Sequence, residues 1–453
     1  MTERPRLAVV GAGPAGLAGA LAAAARGVDV TLVDAAGRPG GQFHRQPSPA
    51  LGAPPRQGHT WERLRTGLDR HRVTHLTEHH VWCVQRDSMS FLVHALLGPA
   101  QDEGVSLRAD AVLLATGGHE YVLPFPGWTL PGVITAGGAQ AMLKGERVLP
   151  GRHVVVAGTG PLLLPVATGL AAAGAEVAAL VESADPGAVP RRFPDLLVRP
   201  DKLAEGAGYA VRLLRHRVRI LTRHTVVAAH GTDRLEAVTV APLSPGGRSL
   251  RILCDTLAVG HGMLPGTDLA ETLGCTLTGT AVRVDAEQRT DVPGAWAAGE
   301  TTGIGGAALA LAEGHIAGRS AAARLYGRTP DPAGWAPAAR ARSRLRRFFA
   351  AVDAVCAPPP GRAGSVPDDT VVCRCEEVTA GEVRTAVSTL GATDARSAKL
   401  LTRAGMGWCQ GRMCGPAVAA LTGCPLTPGR RPFARPVPLG VLAALPDPDA
   451  PAP

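Results

Sequence analysis

A strand that runs straight into a glycine turn constrains this chain more than any other feature. Leu7-Ala-Val-Val is short and apolar, Gly11-Ala-Gly-Pro-Ala-Gly16 follows at once, and an Ala-rich stretch continues to Arg26. The order strand, turn, helix gives each glycine a task. Gly11 permits the tight turn, Gly13 lets the backbone approach a pyrophosphate, and Gly16 lets helix and strand pack closely. Pro14 and Ala15 open the helix, whose N-terminus faces the phosphates. Residues 28–34 read as the next strand, ending in Asp34, 23 residues after Gly11, where a carboxylate accepts hydrogen bonds from ribose hydroxyls. The pattern is therefore a βαβ dinucleotide-binding unit.

It recurs 147 residues later, in Gly158-Thr-Gly160 after an apolar strand, with Glu182 ending the following strand. The third glycine position holds Leu163, so helix and strand must pack differently there. This copy is either a working NAD(P) site or a structural relic, and the residues leave both open. Between the copies, Ala111-Val-Leu-Leu-Ala115-Thr116-Gly117 ends a strand, and Ala115, Thr116 and Gly117 are candidates to bind the same cofactor as the first turn. After the second copy, Ala295-Trp-Ala-Ala-Gly299-Glu300 ends another in a glycine and an acid, a form that binds the ribityl or pyrophosphate region of a flavin. A helix after Gly306 would aim its N-terminus at the same group.

These segments predict an α/β chain with two nested dinucleotide-binding, Rossmann-like domains and a small C-terminal α-rich cysteine domain. The expected limits are 1–118 with 285–325 for the first domain and 119–284 for the second. A connector follows over 326–368, the cysteine domain over 369–425, and a Pro-rich tail over 426–453, expected along the surface. A length of 453 residues suits two to three such domains.

Composition narrows the partners. The net charge is +9, but only Lys144, Lys202 and Lys399 of the 47 basic residues are lysine. The arginines are scattered and aromatics make up 4%, so a nucleic-acid surface with stacking platforms is not expected. The basic, apolar N-terminus resembles a signal peptide, yet Gly11, Gly13 and Gly16 interrupt it at dinucleotide spacing. The run 157–175 lacks charge but carries Gly158, Gly160, Pro161 and Pro165, so it reads as a buried strand-turn-helix and no transmembrane segment is expected.

The cysteines carry the second chemistry. Cys373-x-Cys375, 33 residues, then Cys409-x₄-Cys414 are two tight pairs able to wrap one metal centre. Glycines around the second pair permit a close backbone wrap, and Arg374, Arg403 and Arg412 offset thiolate charge. Thr379-Ala-Gly-Glu382 reads as a capping box opening a helix. Four thiolates suit a [2Fe–2S] cluster, with structural zinc as the rival, although zinc sites usually have two-residue spacers. Cys83, Cys254, Cys275, Cys356 and Cys424 are isolated. Outside the cysteine domain no Cys-x-x-Cys exists, so disulfide reduction is not expected.

Together these motifs resemble the A or alpha subunits of opine oxidases, the B subunit of bacterial hydrogen cyanide synthase, and the alpha subunits of proline and hydroxyproline dehydrogenases. The similarity covers nearly the whole chain. It rests on GAGPAG at 11–16, GRPGGQF at 37–43, PFPGWTLPGV at 124–133, GTGPLLL at 158–164, CRCEEVTAGEVR at 373–384, GMGWCQGRMCG at 405–415 and ARPVPLGVLA at 434–443. The C-terminal part is similar to the bacterioferritin-associated ferredoxin-like [2Fe–2S] domain.

The resemblance implies a flavoprotein with FAD at the first site, contacted by Gly11, Gly13, Gly16, Asp34, Gly41 and Gln42. Gly299-Glu300 stand where related flavoproteins carry Gly-Asp, and Leu163 weighs against nicotinamide at the second site. It implies a subunit of an enzyme that oxidises an amino acid, opine or other secondary amine, beside a second flavoprotein subunit that binds the amine, with an electron acceptor downstream. Its expected place is cytoplasmic, or peripheral at a membrane through partners. A stand-alone NAD(P)H-dependent ferredoxin-type reductase is the alternative enzyme, and an iron-sensing or scaffold protein the non-enzymatic one. No catalytic base is legible. His44, His119 and His261 follow the candidate flavin-proximal segments and read more readily as structural.

Overall fold

The computed structural model describes residues 4–52, 58–87, 90–244, 246–357, 364, 366–425 and 431–445. The chain divides into two compact units, each discontinuous: 1–118, 265–343 and 428–453 form one, and 119–264 with 344–427 form the other. The return to the first unit comes at Pro265, earlier than the expected 285. The intervening residues Leu269, Ala270, Cys275 and Val282 are buried with Val10 and Leu114 of the first unit's core, which holds them there.

The first unit is built on a five-stranded parallel sheet. Its order is Ala295–Ala297, Ala111–Leu114, β1 (Arg6–Val10), β2 (Asp29–Val33) and Thr74–Leu76. Leu7 to Val10 are all buried, as a parallel strand covered on both faces requires. Helix α1 (Pro14–Ala24) starts with proline at its first turn and packs against the long helix Gly306–Leu325. Small residues set that packing distance, since a side chain at Gly314 would strike the backbone of Ala15. A three-stranded antiparallel sheet, His79–Arg86, Phe91–Leu97 and Glu103–Ala109, belongs to the same unit. The tail does more than lie along the surface. The Ala434 N–H donates to the Trp82 carbonyl at 2.8 Å, and Val441 is buried with Trp82 and Leu96.

The second unit repeats the plan. Its parallel sheet runs Arg219–Thr222, β4 (Glu176–Glu182), β3 (His153–Gly158), Thr256–Gly260 and Val133–Thr135. Helix α2 (Leu163–Ala172) follows β3, and Leu163, in place of the third glycine, is buried in the core with Val154 and Val156. Helix α3 (Ala336–Val355) spans the boundary between the two units at residues 343 and 344, and the cysteine domain comes after it in the chain. There β5 (Val371–Cys373) and the helices Ala380–Ser388, Ala395–Thr402 and Gly415–Thr422 enclose Val372, Val383, Ala386, Ala398 and Val418. The Thr379 N–H donates to the Glu382 carboxylate at 2.7 Å, and the Glu382 N–H donates to the Thr379 hydroxyl at 3.3 Å, completing the capping box. The result is an α/β protein with two nested Rossmann-like domains and a C-terminal helical domain.

Candidate functional site

The glycine turn between β1 and α1 is closed by backbone alone. Gly11 has φ +103°, and a Cβ there would overlap the Ala115 carbonyl, while a Cβ on Gly16 would overlap the carbonyl of Gly11. Gly13 is different: its backbone is extended, and nothing lies within 4 Å of where its Cβ would be. It caps α1 without a side-chain hydrogen bond, leaving the first-turn N–H groups without a side-chain acceptor at the cap. That is a cradle of the right shape and polarity for a pyrophosphate.

Gly41 closes the cradle's rim, because a Cβ there would come within 2.8 Å of the Gly13 Cα. Gln42, next along, accepts from Arg45 at 2.9 Å. At the end of β2 the Ala36 N–H meets Asp34 Oδ1 at 3.4 Å, whereas Oδ2 is buried without a partner. Burial pushes the Asp34 carboxyl up to about 6, against the pull of backbone N–H groups of Ala36, Ala35 and Ala12. A buried acceptor left unpaired is costly, and a ribose hydroxyl would satisfy it.

The other predicted residues meet in the same unit. The Thr116 hydroxyl donates to the Gly266 carbonyl at 2.5 Å and lies 3.0 Å from the Thr301 hydroxyl. Gly299 touches α1, since its Cβ would fall 2.7 Å from the Ala15 Cβ. Glu300 is half-buried, and its desolvation raises its carboxyl. Sequence reasoning missed Glu313, which is 1% exposed and lies on the helix Gly306–Leu325. Its Oε2 accepts from the Gly299 N–H at 3.0 Å and from the Thr302 hydroxyl at 2.9 Å, bracing the loop that carries Glu300. The available signal was a lone acid in an Ala-rich helix.

The second turn is engaged by its own chain. Glu182 accepts from the Gly160 N–H at 3.2 Å and from the Ala184 N–H at 3.0 Å. The Thr159 hydroxyl donates to the carbonyl of Cys356, just past α3, at 2.7 Å. Burial, with Glu182 and Asp353 nearby, pushes the Cys356 thiol up to about 12. His261 is structural, its ring nitrogen accepting the Leu123 N–H at 3.1 Å. His44 packs between Phe43 and Trp61, and His119 lies in the strand Gly118–Glu120.

The four predicted ligands come together in the cysteine domain. Cys373 and Cys414 are buried, Cys375 is exposed and Cys409 half-buried. The four thiols lie near enough to perturb one another's ionisation, Cys375 with Cys409, Cys409 with Cys414 and Cys414 with Cys373. The Cys414 thiol and backbone N–H groups of Met413 and Gly411 hold the Cys409 thiol low. The Gly405 N–H reaches Cys373 Sγ at 3.5 Å, and a side chain at Gly407 would strike Cys375. Among the described residues no three His, Cys, Asp or Glu side chains converge on one ion. Four clustered thiols, with the Gly405 N–H reaching sulfur, fit the donor set of a [2Fe–2S] cluster. All nine cysteines are unpaired thiols.

Residues 5–316 match the pyridine nucleotide-disulphide oxidoreductase family, and residues 371–422 match the BFD-like [2Fe-2S] binding domain. The chain is 35% identical over 427 residues to hydrogen cyanide synthase subunit HcnB of Pseudomonas protegens, covering 90% of this chain and 89% of that one. It is 33% identical over 435 residues to the A-type subunit of opine oxidase from Agrobacterium tumefaciens, covering 92% and 85%. The fold is similar to that of L-proline dehydrogenase from P. horikoshii, with a TM-score of 0.67 at 20% identity over 98% of this chain and 81% of that one. With its dinucleotide cradle and four-thiol loop, the chain belongs to the pyridine nucleotide-disulphide oxidoreductase family, as a FAD and [2Fe–2S] oxidoreductase of the kind that includes the A-type opine oxidase subunits and hydrogen cyanide synthase subunit HcnB.

Proposed function

We propose that this chain is the electron-handling subunit of a heteromeric dehydrogenase acting on an amino acid, opine or other secondary amine. The observation that carries the reading is the pairing, in one chain, of a pyrophosphate cradle with four clustered thiols. When bound, FAD supplies two-electron chemistry and the cluster one-electron chemistry. In this reading α1 and Gly13 hold the pyrophosphate, Asp34 holds the adenosine ribose and the Gly41-Gln42 segment closes over them. Ala115, Thr116, Gly117, Gly299 and Glu300 line the remainder of the FAD. Cys373, Cys375, Cys409 and Cys414 ligate the cluster.

Relatives with this combination of domains are named as subunits. The amine therefore belongs to a second flavoprotein subunit. Among the described residues no helix is long and apolar enough to cross a membrane. The stand-alone NAD(P)H reductase is the weaker reading. Glu182 and Thr159, which a nicotinamide dinucleotide would need, are already bonded within the chain, and Leu163 fills the close-packing position.

The test is co-expression with a flavoprotein encoded beside this chain. The isolated chain should hold both cofactors and turn over no amine, and activity with an artificial acceptor should appear with the partner. Steady amine dehydrogenation by the pure single chain would place the substrate site here instead.

A further inference from the structure

The segment 124–133 takes no part in either cofactor cradle, yet it carries Trp128, an indole that is 3% exposed. A buried indole N–H is a donor in need of an acceptor. Trp61 and Trp82 leave theirs buried without a partner. The Trp128 indole instead donates to the Val371 carbonyl at 2.5 Å, across 243 residues of sequence. Val371 opens β5, the strand that ends at Cys373. The same ring carries the Arg374 guanidinium, 5.2 Å from its centroid. Arg374 lies between the first two cysteines. On the other side Met413, next to Cys414, packs against the core that includes Trp128, Phe125 and Val133. Both buried cysteines thus have a near neighbour seated on this part of the second nucleotide-binding-like domain, while Cys375 is exposed and Cys409 half-buried.

The seat itself is firm. The backbone N–H of Trp128 donates to the Phe125 carbonyl at 3.0 Å, and the Ala229 N–H donates to the Pro126 carbonyl at 2.8 Å. Gly127 has φ +78°, and any side chain there would strike the Ala229 carbonyl.

We propose that Trp128 is a positioning residue for the iron–sulfur centre: it clamps β5 onto the second nucleotide-binding-like domain and holds the Arg374 charge beside the cluster ligands. The inference rests on the assignment of [2Fe–2S] to the four cysteines. Reduction adds negative charge to a centre already ringed by thiolates. A guanidinium held on a ring beside them favours the reduced form, whereas one released into water is screened. A clamp on the ligand-bearing strand also slows loss of the metal, since groups that support ligands commonly govern metal affinity.

The experiment uses the full chain with FAD and cluster loaded, and compares Trp128→Phe, Trp128→Leu, Arg374→Gln and the Trp128→Leu/Arg374→Gln double variant. Two quantities are read: the cluster midpoint potential by EPR-monitored titration, and the rate of iron release to a chelator. Arg374→Gln and Trp128→Leu should both lower the potential. The double variant should fall no further than the larger single shift, because both changes remove one interaction. Trp128→Phe keeps the ring but loses the donor, so its potential should stay near wild type while iron release accelerates about tenfold or more. Wild-type potentials in Arg374→Gln and Trp128→Leu, or additive shifts in the double variant, would overturn the proposal. If Trp128→Leu is purified without iron, Arg374→Gln and Trp128→Phe still decide: the first must lower the potential and the second must not. Wild-type protein with no rhombic [2Fe–2S] signal would instead show that the cluster assignment itself had failed.

Discussion

Gly13 offers a way to separate cofactor binding from folding. Its backbone is one that any residue adopts, with φ −74° and ψ −178°, and its Cβ position is open. Replacing it should change the stability of the FAD-free protein by about 0.5 kcal/mol or less, or raise it by up to about 1 kcal/mol through a stiffer unfolded chain. The space that the new side chain enters is the space left for a pyrophosphate. In Gly13→Glu a carboxylate enters that space, and for like charges on the order of 5 Å apart the repulsion follows Coulomb's law. With an effective dielectric of about 20, the repulsion is about 3 kcal/mol for each phosphate charge at that distance, a loss of more than a hundredfold in affinity. Gly16→Ala is the control. Its Cβ would fall well under 3 Å from the Gly11 carbonyl oxygen, backbone that cannot swing aside. It should cost about 3 kcal/mol or more in folding. The assay is flavin absorbance per polypeptide, paired with denaturant unfolding and the EPR signal of the cluster domain. Gly13→Glu should be flavin-free, normally folded and still EPR-active. Stoichiometric FAD in that variant would refute the assignment of the first site.

Asp34, raised to about 6 by burial, should make FAD-free protein lose stability as pH climbs from about 4 to 6, since the folded state binds the proton more tightly than the unfolded one. Asp34→Asn should abolish that slope, making the FAD-free protein more stable at pH 7 by on the order of 3 kcal/mol while weakening FAD, as unfolding curves across pH and flavin titration will show. Glu313→Ala leaves the Gly299 N–H and the Thr302 hydroxyl facing a cavity, and should cost about 2–4 kcal/mol by denaturant unfolding; Glu313→Gln, which can still accept from either, should cost less. Dithionite-reduced protein should give a rhombic EPR signal that Cys375→Ser diminishes or abolishes; one equivalent of zinc with iron at trace levels would mean a structural metal instead. In stopped flow, NADH should reduce the flavin slowly or not at all, and rapid stoichiometric bleaching would reopen the second turn as a nicotinamide site.

The parts of this protein that could be read in advance are those whose logic is local. The first turn depends on three glycines and an acid within 24 residues, from Gly11 to Asp34, and the cluster loops depend on two short cysteine spacers. What could not be read depends on partners far apart in the chain. Thr159 meets Cys356 across 197 residues and Trp128 meets Val371 across 243, and nothing beside either residue announces the other. Glu313 looked like one more helix acid until the loop from Gly299 to Thr302 folded back onto it. The expected domain edge at 285 missed Leu269, Ala270, Cys275 and Val282 because their apolar character suits either core, and only packing decides between them.

The interleaved threading of the two units bears on how this protein is made. The first unit draws on 1–118, then 265–343, and then the docked segment within 428–453, with the second unit's segments translated in between. Trp82 and Leu96, made early, wait for Val441 to cover them. A ribosome must add roughly 340 further residues between those events, at about 5–20 residues per second, which leaves the antiparallel sheet's apolar side uncovered for tens of seconds. That interval is when a chaperone would find its strongest hold on the nascent chain. A stop codon placed before residue 431 would make the exposure permanent, producing a protein whose cofactor cradle is intact but whose abundance in the cell is set by aggregation and proteolysis.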